Sequence, residues 1–382
     1  MKSKTIPIFL MFFIMGFGDA VGTMVGFATK EFELSRGMAG LLPFVGFIAY
    51  AFFPVPASIL QDKKGKKFIL LLGLTLILTG YLIPIMSISK YIYLIISILM
   101  VGTGIAVAQV AGNPILRDVS AKGKFSRNLA FAQFIKAIGS NSGPYVIPLV
   151  ITLGLFWQSI FYIYFLVAVL TMLLILPLKI KEREDEEKQK PASIKSSLAL
   201  LKNPFVFLMV FSLFLYVGAE VGMGSWIASY LEKYYQYDIS SMATLGIGFF
   251  YLSLMIGRLL GSVILNWVSP KKFFVITSII SVVAILGLFT GIRVISIVSI
   301  FIIGLGFANI FPLIFSITID SMPEKSNELS GLMVTSIVGG AIMPLLMGLV
   351  ADYSIMASFG IPLASFVFIT VVSILTTRVK KA

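Results

Sequence analysis

Two carboxylates stand inside stretches of the sequence that are otherwise apolar. Asp19 lies within residues 16–22, and Glu220 lies within residues 218–222, in a segment of similar pattern. Counted from Ile6 at about 1.5 Å per residue, Asp19 is roughly 20 Å into a helix, near the middle of a hydrocarbon layer about 30 Å thick. A charge at that depth costs about 2.5–3.5 kcal/mol on insertion scales. We therefore expect each acid to face a partner or a water-filled cavity, and either could carry a proton.

The composition limits what other chemistry the chain can do. Of its 382 residues, 58% are apolar and 12% are charged, which is more apolar surface than one soluble core could hide. The sequence contains no His and no Cys, which excludes imidazole proton relays, disulfides and thiolate metal sites. Any proton handling therefore falls to carboxylates. The sequence shows no paired nucleophile and base, metal cluster or phosphate-binding loop, so we expect neither an enzyme nor a cofactor.

Apolar runs of about twenty residues recur along the whole chain and predict transmembrane helices. The twelve predicted spans are residues 5–28, 38–60, 68–88, 91–116, 129–153, 156–178, 204–231, 242–267, 273–292, 294–319, 330–351 and 357–377. With a cytoplasmic N-terminus, most of the 30 Lys and Arg residues fall in the inner loops and the two termini. Positive charge collects on the cytoplasmic side of membrane proteins, so both termini are predicted to lie inside.

One long hydrophilic segment divides the chain. Residues 179–203 contain the mixed-charge run 181–188 and predict a solvated cytoplasmic linker. The linker would join an N-terminal six-helix bundle, residues 1–178, to a C-terminal one, residues 204–382.

Four features recur between these halves at a nearly constant offset of about 200 residues. A constant offset across separate helices indicates two pseudo-symmetric six-helix bundles with a site between them. The matched pairs are Asp19 with Glu220, Gly102 with Gly304, Ser58 with Gly261, and Gly139 with Gly340.

The loop after the second span, residues 58–67, reads SILQDKKGKK. It is similar to the signature of the major facilitator superfamily, G-x-L-x-D-R-x-G-R-K, with Lys in place of Arg and Ser in place of the first Gly. Here Gly65 permits a tight turn, and Asp62 can face the N-terminus of a neighbouring helix or a basic partner such as Arg117. The lysines of the loop are expected to stay at the cytoplasmic surface.

Longer stretches resemble the fucose-galactose-glucose proton symporters, a branch of that superfamily. They are residues 109–114, 216–220, 257–261, 311–315, 338–344 and 347–352. The resemblance implies the major facilitator fold and proton-coupled sugar transport, with Asp19 as the membrane carboxylate of the first helix. The chain departs from that branch where Gln109 replaces a Glu and where Lys136 replaces a neutral amide.

The depth of Lys136 in the fifth span is close to that of Gln109 in the fourth, so the two side chains can meet. Gln133, Lys136 and Ser140 share one helical face. Gln109 and Asn113 share another, which predicts a polar patch between these helices. Lys136 could form a fixed ion pair with Asp19, or a pair that opens when substrate or a proton arrives. The opening pair is favoured, because a permanent pair gains little once both charges are desolvated.

Further residues suit a sugar or a conformational lock. Amides bind sugar hydroxyls and aromatic rings stack on the apolar face of a pyranose. The candidate substrate-binding residues are Gln109, Asn113, Gln133, Lys136, Asn141, Tyr216, Trp226 and Asn309. The candidate lock residues are Asp62, Gly65, Arg117, Arg258 and Asp320, with Asp320 expected to pair with Arg258.

The pattern predicts an all-α secondary transporter of twelve helices that moves a neutral hexose or deoxyhexose inward with a proton by alternating access. The expected partners are the sugar, H+ and the lipid bilayer but not nucleic acid, and the expected form is a monomer in the plasma (inner) membrane. One alternative is a carrier of an anionic sugar derivative or organic acid that uses Lys136. Others are an exporter of lipophilic compounds and a receptor that transports nothing.

Overall fold

The computed structural model describes residues 5–179, 192–236 and 244–378, and in these ranges the chain is helical, joined by short turns. The charged run 181–188 of the predicted linker lies outside the described residues. The helices are α1 (Thr5–Gly16), α2 (Val21–Glu31), α3 (Arg36–Phe52), α4 (Pro54–Lys64), α5 (Lys66–Met86), α6 (Tyr91–Val119), α7 (Phe125–Ser140), α8 (Ser142–Thr152), α9 (Ser159–Ile175), α10 (Ile194–Ala199), α11 (Pro204–Tyr235), α12 (Thr244–Ile264), α13 (Pro270–Leu288), α14 (Arg293–Phe307), α15 (Ile310–Ser321), α16 (Ser326–Thr335), α17 (Gly339–Ala351), α18 (Ile355–Ser358) and α19 (Gly360–Arg378).

Eight helical stretches within the described ranges are long and apolar enough to cross a membrane. The pair α3 and α4, bent by 48° at the break between them, makes a ninth if it is counted as one span. Two shorter apolar helices, Ser159–Ile175 and Gly248–Ile264, fall in the sixth and eighth predicted spans. The fifth predicted span is divided between α7 and α8.

Gly and Pro explain where the first and fifth spans break. The first span passes through a 3-10 turn at Phe17–Ala20, next to Gly16. The fifth span breaks at Asn141, where α8 begins with a proline at its third position. Pro144 has no N–H, and its ring would clash with the carbonyl of Ser140 in a continuous helix. Such interruptions inside a helix often mark functional hinges.

The described helices fall into two compact units. Unit 1 comprises Met1–Lys122, Ile135–Leu198 and Pro323–Thr335, and unit 2 comprises Gly123–Phe134, Ala199–Met322 and Ser336–Ala382. Each unit therefore contains most of one predicted bundle together with a short segment from the other half of the sequence. In unit 1 that segment is α16, which packs on α4 and α6.

Within unit 1, α1 and α7 touch along their backbones. A Cβ on Gly139 would overlap the carbonyl oxygen of Phe13, and a Cβ on Gly16 would lie 2.6 Å from the backbone nitrogen of Ser140. Glycine is therefore required at both positions, since any side chain would push the two helices apart. This contact lies beside the break in each span and brings the two broken segments together.

Candidate functional site

Asp19 lies in the 3-10 turn that interrupts the first span. Its Oδ2 accepts a hydrogen bond from Ser140 Oγ at 2.7 Å and lies 3.5 Å from Lys136 Nζ. Lys136 and Ser140 are one helical turn apart on α7, so both reach the same carboxylate oxygen. The predicted meeting of Lys136 with Asp19 is therefore present in unit 1.

In the Asp19 site the carboxylate is more exposed than the ammonium that faces it. The side chain of Asp19 is 42% exposed, whereas that of Lys136 is 18% exposed. An ion pair of this length with one exposed partner contributes about 1 kcal/mol or less to stability. The pair can therefore separate at low cost, and a proton or a polar ligand can reach the carboxylate.

The second acid has a tighter environment in unit 2. Glu220 Oε1 lies 2.9 Å from Arg258 Nη2, and its Oε2 accepts a hydrogen bond from the Tyr216 hydroxyl. The side chains of Glu220 and Arg258 are only 18% and 11% exposed. Separating two charges with this burial costs more than opening the pair of Asp19, because less water is available to solvate them.

Glu220 was not the partner predicted for Arg258. The sequence predicts Asp320 for that role, and Asp320 lies near the end of α15 and is exposed. Tyr216 donates to Glu220 and is itself buried, and its ring packs on Phe307 with centroids 6.2 Å apart. These contacts make Tyr216 a partner of the acid, and its contact with substrate stays a prediction.

The candidate amides of the fourth and fifth spans are buried. Gln109 and Asn113 lie in α6 of unit 1, and Gln133 lies in the part of α7 that belongs to unit 2. Among the described residues, both side-chain polar atoms of Asn113 and Oε1 of Gln109 have no hydrogen-bond partner. The expected meeting of Gln109 with Lys136 is not seen, because the ammonium of Lys136 reaches towards Asp19. Buried amides without partners suit internal water or a polar ligand.

The remaining candidates serve the helix breaks and helix packing. Asn141 lies at the break between α7 and α8, where its Nδ2 donates to the carbonyl of Ala137 at 2.9 Å. Asn309 is 1% exposed and donates to the carbonyl of Gly257 at 2.7 Å. Its amide nitrogen thus joins α12 to the break before α15, and the expected sugar contact of Asn309 stays a prediction.

Trp226 is partly exposed in α11, and its indole N–H donates to the carbonyl of Pro344 at 3.3 Å. The ring also lies against Gly348, where an added Cβ would be 3.2 Å from Trp226 Cζ2. One face of this indole is thus used for packing on α17. Its stacking on a sugar stays a prediction.

Asp62 joins three segments of unit 1. Its Oδ2 accepts from the backbone N–H of Ala192 at 2.7 Å, and its Oδ1 accepts from Asn327 Nδ2 at 3.3 Å. Asn327 is the second residue of α16. Of the two alternatives for Asp62, the structure therefore contains the contact with the N-terminus of a neighbouring helix. Gly65 has a φ of +85°, which only glycine adopts readily, as expected for the turn.

Lys66 corrects the expectation that the lysines of this loop stay at the surface. It is fully buried and forms an ion pair of 2.7 Å with Asp118, which is also buried. Arg117 is buried beside it at the end of α6. The two helix ends pack so closely that the first lysine after Gly65 points inward, and a carboxylate four residues after Pro114 compensates its charge.

The hydrogen bonds of Ser140 to Asp19 and of Tyr216 to Glu220 are not among the contacts predicted from the sequence. The helical periodicity gave a signal for both. Ser140 follows Lys136 by four residues, and Tyr216 precedes Glu220 by four, so each shares a helical face with a charged residue. Which neighbouring helix that face meets could not be read from the spacing.

The class of protein follows from these features. Apolar spans, broken helices, and acids at membrane depth that pair with bases are together typical of a polytopic membrane transporter. The profile of the Major Facilitator Superfamily matches residues 8–342, and the chain belongs to that family. It is accordingly a transporter with the major facilitator fold and not an enzyme.

Similar proteins cover nearly the whole chain. A Helicobacter pylori protein named for glucose and galactose transport is 28% identical over 94% of this chain and 93% of its own length. The L-fucose-proton symporter of Escherichia coli is 26% identical over 88% of this chain and 83% of its own length. The crystal structure of the fucose:proton symporter of E. coli superposes with a TM-score of 0.84 at 20% identity, covering 99% of this chain and 100% of that one.

Proposed function

We propose that this transporter carries a neutral hexose or deoxyhexose into the cell together with a proton. The similarity to relatives named for glucose, galactose and fucose transport supports the sugar. The observation that supports proton coupling is the Asp19 site, where one oxygen of an exposed carboxylate faces both Ser140 and Lys136.

Asp19 is the proposed proton carrier. A proton carrier must exchange with water during each cycle, and Asp19 is the more exposed of the two acids. Protonating Asp19 removes the negative charge that holds Lys136, so the ammonium is released towards another acceptor. Cargo and conformation become coupled if the substrate binds one of the two arrangements more tightly.

Glu220 is proposed to hold the second unit together rather than to carry a proton. Its two carboxylate oxygens are used by Arg258 and Tyr216, and all three side chains are largely buried. In this proposal the substrate meets the buried amides Gln109 and Asn113 of α6. Among the described residues, Oε1 of Gln109 and both side-chain polar atoms of Asn113 lack hydrogen-bond partners.

The contacts of α4 with α16 are proposed to stabilise one state of the alternating-access cycle. Gln61 Nε2 donates to Asn327 Oδ1 at 2.6 Å, and Asn327 donates in turn to Asp62. Ser196 donates to Glu328 at 2.6 Å on the same helix. Polar contacts of this kind suit a reversible lock, because water can replace each of them when the segments separate. Arg117 and Arg258 are proposed to support such locks from within their units.

A second candidate function follows from Lys136. The largely covered ammonium of Lys136 would attract the carboxylate of a sugar acid, and the alternative of anionic cargo depends on this residue alone. We further propose that the protein acts as a monomer in the plasma membrane with both termini in the cytoplasm, which the distribution of Lys and Arg supports.

The test is transport by purified protein in liposomes. The wild type is expected to accumulate labelled galactose, glucose or fucose when the outside is made acidic, and Asp19→Asn is expected to lose this accumulation but to keep counterflow of the same sugar. Full proton-driven accumulation by Asp19→Asn would exclude its role in coupling. If no proton gradient drives uptake by the wild type, proton coupling itself is wrong.

A further inference from the structure

Tyr164 contacts both of the broken segments that form the Asp19 site. It lies in α9 and is buried. Its ring stacks on that of Phe17, with centroids 3.8 Å apart and an angle of 6° between the planes. Its hydroxyl lies 2.7 Å from Ser142 Oγ. Phe17 belongs to the 3-10 turn that holds Asp19, and Ser142 is the first residue of α8.

The direction of the hydrogen bond can be assigned. Ser142 Oγ donates its single hydrogen to the carbonyl oxygen of Gly139 at 2.5 Å. The hydroxyl of Tyr164 must then be the donor to Ser142. Gly139 immediately precedes Ser140, which binds Asp19. The hydrogen-bonded chain therefore runs from α9 to the residue next to the carboxylate ligand.

Both broken segments need support from outside their own helices. Pro144 removes a backbone donor from the fifth span, and the 3-10 turn in the first span has weaker hydrogen-bond geometry than an α-helix. The contact between Gly16 and Gly139 brings the backbones together, but neither glycine has a side chain that could fix the angle of the turn. Tyr164 provides the missing support to both segments with a single rigid ring.

We propose that Tyr164 is a positioning residue for Asp19 and acts through Phe17 and Ser142. The inference rests on the proposed role of Asp19 in coupling. The stacked ring holds the turn that carries the acid, and the hydroxyl holds the start of α8 so that Ser140 and Lys136 face the same carboxylate oxygen. Loss of the hydroxyl lets the α7 side of the site move while the ring and the fold remain.

The chain offers a matched control. Tyr81 is buried in the same unit, and its ring centroid is 5.8 Å from that of Tyr164. Its hydroxyl has no hydrogen-bond partner among the described residues. Tyr164→Phe and Tyr81→Phe therefore each remove one buried hydroxyl from neighbouring tyrosines, but only the first removes a link to the Asp19 site.

The experiment compares proton-driven accumulation with counterflow in liposomes. Tyr164→Phe and Ser142→Ala are each expected to lower accumulation about fivefold, the factor that corresponds to one ordinary hydrogen bond. The double variant is expected to be no worse than Ser142→Ala alone, because Ser142→Ala already removes the bond to Tyr164 together with the bond to Gly139. Counterflow should stay within about twofold of the wild type, and Tyr81→Phe should match the wild type in both assays. A parallel loss of counterflow, or equal behaviour of Tyr164→Phe and Tyr81→Phe, would overturn the inference.

A second measurement does not depend on transport. Amide hydrogen exchange of residues 137–143 is expected to be faster in Tyr164→Phe than in the wild type and unchanged in Tyr81→Phe. Unchanged exchange in Tyr164→Phe would show that the hydroxyl does not position this segment. If exchange changes but the wild type does not accumulate sugar with protons, the proposed function fails while the positioning of the segment stands.

Discussion

Gly139 lies directly against the carbonyl oxygen of Phe13, with no room for a Cβ between them. In unit 2, Gly339 lies in the same way against the carbonyl oxygen of Phe214. The sequence repeat had paired Gly139 with Gly340, so the contact uses the preceding glycine of the Gly339–Gly340 pair. Among the described residues, each unit thus has a close backbone contact within a few residues of its membrane-depth acid.

Gly139→Ala is expected to destabilise the protein by about 1–3 kcal/mol, because the new methyl group forces α1 and α7 apart. The matched change is Gly26→Ala in α2, where nothing lies within 4 Å of the added Cβ. That change should be neutral or stabilise by up to about 1 kcal/mol through helix propensity. Thermal unfolding in detergent measures both, and equal melting temperatures for the two variants would contradict the close contact.

Lys136→Gln is expected to change counterflow of neutral sugars by no more than about threefold, because the ion pair with the exposed Asp19 contributes little to stability. Lys136→Arg keeps the charge and is the control. Counterflow of a hexuronate is measured beside that of galactose. The anionic alternative is favoured over the neutral one if the wild type and Lys136→Arg transport the hexuronate and Lys136→Gln does not.

Glu220→Gln is expected to lower the stability of the protein by about 1.5–3 kcal/mol, since the guanidinium of Arg258 loses its charged partner. Adding Arg258→Met to that variant should recover part of the loss, because it removes the guanidinium that has lost the Glu220 carboxylate. The measurement is thermal unfolding of the single and double variants. A Glu220→Gln protein as stable as the wild type but unable to accumulate sugar would instead make Glu220 a coupling residue.

Asn327→Ala should weaken the contact of α4 with α16, as it removes the acceptor of Gln61 and a donor to Asp62. Ser58 is buried, and an added Cβ on Gly331 would lie 2.7 Å from its Cβ, so Ser58→Cys reports separation of these helices. The chain has no native Cys, so the introduced thiol at position 58 is the only cysteine that a maleimide can label in this variant.

We expect Asn327→Ala to raise the labelling rate of Ser58→Cys about tenfold, the effect of losing one to two hydrogen bonds. The control reporter is Thr290→Cys, at an exposed turn after α13 of unit 2, whose labelling rate should not change. Equal labelling of Ser58→Cys with and without Asn327→Ala would argue against a lock at this contact.

The membrane class, the positions of the spans and the two acids could be predicted from the sequence. These properties depend on runs of apolar residues and on the cost of a charge at membrane depth, and both are local. The helical repeat also placed Lys136 within reach of Asp19.

Only the tertiary structure decided which groups complete each site. Asp19 pairs with a base of α7, whereas Glu220 pairs with a base of α12. The two acids occupy equivalent positions in the sequence repeat, but the helices that supply their partners are not equivalent. Lys66 was expected at the surface and is buried against Asp118. A repeat of 3.6 residues gives the face of a helix on which a side chain lies. The helix that this face meets is set by backbone contacts between residues far apart in the chain, such as Gly139 with Phe13.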